Sequence, residues 1–220
     1  MTQLGEKIYS ILLGYSNNQL FGTKNDIYLI YNLFCSLTLS SKIFLDDSVK
    51  LDNIINYIAT LDINENILLI IYFTGHANIN GSLKFHNEKI DIHLFLTKIN
   101  EIIRNPIKLY FIFDCCFSKN FFIKHNHFNN IIKISYLVSC SYNELSKEID
   151  TAYHNKLFKY HIPDIHVKDR IVASVMTLYF VKIAYAKNYT IHEFKNIIND
   201  NTFKMISSVF KQTIYFNEYT

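Results

Sequence analysis

Two apolar runs constrain this chain more than any other feature: "ILLIIYFTG" (67–75) and "IKLYFIFD" (107–114). Each is rich in branched and aromatic residues, and neither alternates with polar ones. A strand with that pattern is buried on both faces, as in a parallel sheet covered by helices. Between them, "IHLFLTKINEII" (92–103) carries apolar residues at helical spacing. Strand, helix, strand is the pattern of a crossover unit. It recurs along the chain. "KIYSILLGY" (7–15), "SKIFLDD" (41–47) and "IKISYLVSC" (132–140) read as further strands. "NDIYLIYNLFCSL" (25–37), "DNIINYIATL" (52–61), "RIVASVMTLYFVKIAYA" (170–186) and "IHEFKNIIN" (191–199) read as helices, and "QTIYF" (212–216) as a last strand. The expected fold is α/β, with a mostly parallel central sheet of about six strands and helices on both faces. At 220 residues, half of them apolar, one domain spanning 1–220 is the natural organisation.

Composition removes several function classes. The net charge is only +3, and Arg104 and Arg170 are the two arginines, with no basic block to track phosphates. Nucleic acid is therefore not the expected partner. No run reaches the ~20 apolar residues of a membrane span, and "MTQLGEKIYSILLGYS" lacks the basic start of a signal peptide. The expectation is a cytoplasmic chain with no membrane partner. Neither G-x-G-x-x-G nor G-x-x-x-x-G-K-[ST] occurs, which argues against a nucleotide-binding domain. Cys35, Cys115, Cys116 and Cys140 form no C-x-x-C pair, so reduced thiols are expected rather than a zinc site. The histidines of "HNH" (125–127), with His154, His161 and His166, match no metal-ligand spacing.

In open parallel sheets, ligands bind outside the carboxyl ends of the strands. Thr74-Gly75-His76 and Asp114-Cys115-Cys116 stand at two such ends. If the strands are neighbours, His76 and Cys116 face each other. A cysteine nucleophile needs a base for its proton and donors for the oxyanion that forms. On spacing alone, a cysteine at a strand end is more often a small buried hydrophobe. Asp114 as a turn cap and Asp26 as a helix-start residue are the corresponding plain readings.

At these residues the sequence resembles the caspase-like cysteine peptidases, specifically the metacaspases and paracaspases. "YFTGHA" and "FIFDCCFS" look like their two active-site motifs, and "LFGTKND" (20–26) and "KIFLDD" resemble their N-terminal segments. The resemblance spans about residues 7–140, with a looser fit beyond. It implies a caspase-like three-layer sandwich, with a large-subunit-like part at about 1–118 and a small-subunit-like part at about 130–220. It assigns His76 as general base and Cys116, the second residue after the aspartate, as nucleophile. The N–H groups of Ala77 and Cys116 match the oxyanion donors. Asp26 and Asp114, flanked by Thr23 and Thr74, match the acidic pocket for the residue before the cut. Animal caspases, which cut after Asp, carry Arg at the place of Leu20 and Gln at the place of Asp114. Two carboxylates favour a Lys or Arg side chain. The implied activity is a cysteine endopeptidase cutting after Lys or Arg, acting as a monomer on protein or peptide substrates and needing no cofactor. Calcium dependence is not expected, because Glu88 and Asp91 alone do not make the family's acidic cluster.

Two positions depart from the family pattern. Ala77 stands where Gly is common, and Phe117-Ser118-Lys119 follows the nucleophile where a Gly usually comes soon after. These departures motivate the alternative of a catalytically inactive, caspase-like binding or decoy module. Lys119 and Lys124 are candidate self-cleavage sites.

Overall fold

The computed structural model describes residues 6–17, 19–63, 66–121, 128–150, 172–200, 204 and 210–219. A six-stranded sheet runs through the molecule in the order β11-β8-β7-β3-β1-β2. Its strands are β1 (Lys7–Tyr15), β2 (Ser40–Leu45), β3 (Ile67–Gly75), β7 (Ile107–Cys115), β8 (Ile131–Val138) and β11 (Tyr215–Tyr219). The first five pair in parallel, and β11 runs antiparallel to β8. The two apolar runs are the sheet's central neighbours, β3 and β7, and every residue of β3 is buried.

Strand parity divides the core into two layers. The odd residues Ile67, Leu69, Ile71, Phe73, Ile107, Leu109, Phe111 and Phe113 face one side. There they meet α2 (Leu51–Thr60) and α3 (Ile92–Ile102), and an aromatic stack of Phe111 on Phe113 (5.1 Å) and Phe111 on Tyr136 (5.4 Å). The even residues Leu68, Ile70, Tyr72, Tyr110 and Ile112 face α1 (Thr23–Phe34) and α4 (Val175–Lys187). The result is a three-layer α/β sandwich, as the two-sided burial of the central runs demands. Truncating one fully buried Phe of this stack costs about 3–5 kcal/mol.

Several elements escape the sequence pattern. After His76 the chain makes a small antiparallel meander of β4 (Ala77–Asn78), β5 (Ser82–Phe85) and β6 (Glu88–Asp91), whose Leu83, Phe85 and Ile90 join the core. Asp91 caps α3, accepting from His93 N–H at 2.7 Å, and Glu88 accepts the Leu51 N–H at 2.6 Å. The two residues weighed for calcium thus serve helix starts. A two-stranded ribbon pairs β9 (Glu148–Asp150) with β10 (Val172–Ser174), so the helix read from 170 begins only at Val175. Residues Ile191–Asn199 form a 3-10 helix rather than an α-helix. Their buried residues, Ile191, Phe194 and Ile197, are spaced by three, the period of that tighter helix. The last strand lies three residues beyond the start of "QTIYF", with Glu218 paired to Ser135 across the ladder. Lys124, the HNH stretch and His154, His161 and His166 lie outside the described residues.

Candidate active site

The site is laid out by the parallel register of three strands. Gly14, Thr74 and Asp114 form one row across β1, β3 and β7, and Tyr15, Gly75 and Cys115 form the next. His76 and Cys116 are the residues that follow on adjacent strands, whose spacing is about 4.8 Å. Gly75 is needed where it stands. Its φ is +155°, and a Cβ there would lie 2.6 Å from the Tyr15 carbonyl oxygen. Gly75→Ala is expected to cost about 1–3 kcal/mol, read as a lower midpoint in urea unfolding.

The paired thiols separate cleanly. Cys115 is fully buried in the α2–α3 layer, and burial pushes its thiol well up, with Cys140 adding to the shift. It is a core residue. Cys116 is half-buried and reaches solvent. Cys140 is buried and its thiol is likewise pushed up by burial. Cys35 is exposed, its thiol donating to the Asn32 carbonyl at 3.3 Å. His76 is half-buried; burial, then the charge of Lys84, lowers its pKa below 6.5. Its Nε2 is buried and has no hydrogen-bond partner among the described residues. The imidazole is therefore neutral near pH 7, with a nitrogen left to accept a proton.

The two backbone donors follow from peptide planarity. The His76 carbonyl accepts the Lys84 N–H at 3.0 Å, so the Ala77 N–H, on the same peptide, points away from β5. The Cys115 carbonyl accepts the Ser139 hydroxyl at 3.1 Å on the β8 side. The Cys116 N–H is therefore turned the other way, toward β3.

The loop after Cys116 is fixed without glycine. Phe117 adopts φ +56°, a left-handed conformation, and its N–H donates to the Glu144 carbonyl at 2.9 Å. Ser118 accepts the Cys140 N–H at 2.9 Å. The Asn120 amide donates to the carbonyls of Ile79 (2.6 Å) and Tyr142 (3.2 Å), tying this loop to the meander. Lys119 lies in the short 3-10 helix Ser118–Phe121, its N–H on the Cys140 carbonyl at 3.1 Å. Its ammonium rests over the rings of Tyr215 (3.7 Å) and Tyr142 (4.7 Å). A peptidase takes its substrate extended, so this segment is a poor target. Prolonged incubation should leave the bond after Lys119 intact, which intact-mass spectrometry reads directly.

Asp26 and Asp114 are brought together, but more deeply than a partly desolvated pocket. They are 1% and 2% exposed. Asp26 accepts the Ser174 N–H (2.7 Å) and the Thr74 hydroxyl (3.0 Å). Asp114 accepts the Ser146 hydroxyl (3.0 Å), the Thr177 hydroxyl (2.6 Å) and the Thr177 N–H (3.1 Å) in the first turn of α4. Burial raises both carboxyls, and the charge of Asp114 raises Asp26 further. Thr23, in the first turn of α1 with Asp26, is buried, and its hydroxyl has no partner among the described residues. Glu148, exposed on β9, is a third acid here. It accepts the Gly22 N–H at 2.9 Å, and burial, then the charge of Asp114, raises its carboxyl. No basic side chain pairs with any of the three among the described residues. The sequence held no sign of Glu148, Ser146, Ser174 or Thr177, which reach the site only through the ribbon and α4. No group of three or more His, Cys, Asp or Glu suited to a metal occurs among the described residues. No described helix is long and apolar enough to cross a membrane.

The chain matches no protein-family model and no curated protein. Among solved structures it is similar to protein GSU0716 from Geobacter sulfurreducens, over 96% of this chain and 93% of that one, with a TM-score of 0.63 and 10% sequence identity. At that identity the likeness is one of fold: a mixed α/β chain built on a mostly parallel six-stranded sheet.

Proposed function

We propose that this chain is a caspase-like cysteine endopeptidase that cuts after Lys or Arg through a His76/Cys116 dyad. The observation that carries the reading is the register of β3 and β7, which delivers His76, its Nε2 without a partner among the described residues, and a half-buried Cys116 to neighbouring strand ends. In this reading Nε2 of His76 takes the Cys116 proton, and the sulfur attacks the scissile carbonyl. The N–H groups of Ala77 and Cys116 stabilise the oxyanion. His76 then returns the proton to the leaving amine, and water hydrolyses the acyl-enzyme. Asp26 and Asp114, with Glu148, favour a cationic side chain before the cut, because three acids with no basic partner among the described residues gain from one. Entry of that side chain replaces donors now supplied by Ser146 and Thr177.

Short fluorogenic peptides ending in Arg, Lys or Asp test this. Hydrolysis after Arg or Lys, and not Asp, is the expected result. The lowered pKa of His76 sets the acid limb: activity is retained below 6.5 and lost as pH falls through the depressed value. Hydrolysis after Asp would overturn the acidic pocket. Absence of hydrolysis at every peptide would favour the inactive binding module.

A further inference from the structure

A second cavity lies at the opposite end of the sheet, independent of the dyad. It has a volume of about 240 Å³ and is bounded by Glu6 just before β1, by the first halves of β3, β7 and β8, by β11 and by the 3-10 helix 191–199. Leu68 on its wall stands eight positions before His76 on one strand, about 25 Å away at the strand rise.

Its charges are arranged around two carboxylates. Glu6, whose side chain is fully buried, lies 2.8 Å from the Lys108 ammonium and 3.0 Å from His192 Nε2. Glu218 lies 2.9 Å from the Lys133 ammonium. Lys133, and more weakly Lys195, hold its carboxyl below the usual range. Lys195 is exposed at the rim and makes no ion pair of its own among the described residues. Three lysines therefore face two glutamates, one lysine charge in excess, in a concave site that His192 also lines. Tyr110 completes the wall. It is 6% exposed, its ring lies 6.1 Å from that of Phe216, and its hydroxyl has no hydrogen-bond partner among the described residues. Burial, then the charge of Glu218, raises that hydroxyl, so it stays neutral and able to donate. A buried hydroxyl left without an acceptor is costly and calls for a partner.

We infer that this cavity binds a small phosphomonoester, with its oxyanion against the Lys195 and His192 side and the Tyr110 hydroxyl donating to it. Lysines act as point charges that suit phosphate, and the surplus lysine charge favours a dianion over a carboxylate. Leu68, Ile191 and Phe216 offer an apolar surface for the ester's carbon part. The volume is below the ~300 Å³ at which drug-sized pockets begin, so the ligand is small.

Calorimetric titration of the full chain with inorganic phosphate, phenyl phosphate and benzoate tests the assignment. Phenyl phosphate is expected to bind more tightly than either of the others. Tyr110→Phe removes a hydroxyl that has no partner among the described residues, so the fold should persist while phenyl phosphate affinity falls by about tenfold or more. Lys195→Gln should weaken it by a similar factor. No binding of phenyl phosphate at millimolar concentration would overturn the proposal. So would benzoate binding as tightly, or affinity unchanged in both variants. None of these outcomes depends on peptide hydrolysis, so the peptidase reading stands or falls separately.

Discussion

Cys116→Ala is expected to abolish hydrolysis of Arg- and Lys-ending peptides, lowering kcat by at least about a thousandfold, since removing a nucleophile leaves only binding and oxyanion stabilisation. The thermal midpoint should hardly move, because Cys116 is half-buried and fills no core site. Cys115→Ala should do the reverse. Cys115 is fully buried against Phe113 and its neighbours, so its loss leaves a small cavity and costs about 1 kcal/mol. Hydrolysis should persist. Two adjacent residues of one type would then show opposite phenotypes, one catalytic and one structural, as their exposures require. Equal losses in both variants would contradict the assignment of Cys116 as nucleophile.

Asp26→Asn should separate stability from specificity. The Asp26 carboxyl is raised well above its ordinary value, by burial and then by Asp114. A group raised on folding stabilises the fold below its ordinary pKa, and that contribution is lost as pH rises through the raised value. Wild type should therefore lose stability as pH rises above the ordinary carboxyl range, while the Asn variant loses less. Its melting-temperature advantage should widen as pH rises from the ordinary carboxyl range toward the raised value. Asparagine keeps an acceptor for the Ser174 N–H, so the ribbon remains attached. The same change should cut kcat/KM for Arg-ending peptides by about a hundredfold or more, the order for losing one partner of a buried charge pair. A stabilised variant with unchanged hydrolysis would reduce Asp26 to an anchor for Ser174 and remove it from the specificity pocket.

Sequence and structure agree where local pattern and global burial coincide. β3 and β7 were legible because only a double-sided strand tolerates "ILLIIYF" or "YFIF" without a polar face. Once they are neighbours, the placement of His76 beside Cys116 follows from the register. The meander after His76 was not legible, because β4, β5 and β6 span two to four residues each, too short for a periodic signal. The helix at 191–199 was legible as a helix but not as a 3-10 one, because spacings of three and of three to four look alike over nine residues. The closed surroundings of the acids were hidden for another reason. Ser146, Glu148, Ser174 and Thr177 are distant from Asp26 and Asp114 in sequence and belong to no motif. Phe117 is the instructive departure. A residue other than glycine holds the left-handed conformation there because Glu144, Cys140 and Asn120 pin the loop around it.

The central claim, that His76 and Cys116 act as a pair, is tested most directly by the rate of iodoacetamide alkylation at each thiol, followed by mass spectrometry in wild type and His76→Ala. Cys35 is exposed and stands as the internal reference. The account predicts that Cys116 alkylates at least about tenfold faster than Cys35, since a neighbouring base supplies the thiolate. In His76→Ala that advantage should disappear, while Cys35 is unchanged. Alkylation of Cys116 no faster than Cys35, or an advantage indifferent to His76, would contradict the pairing and with it the peptidase reading.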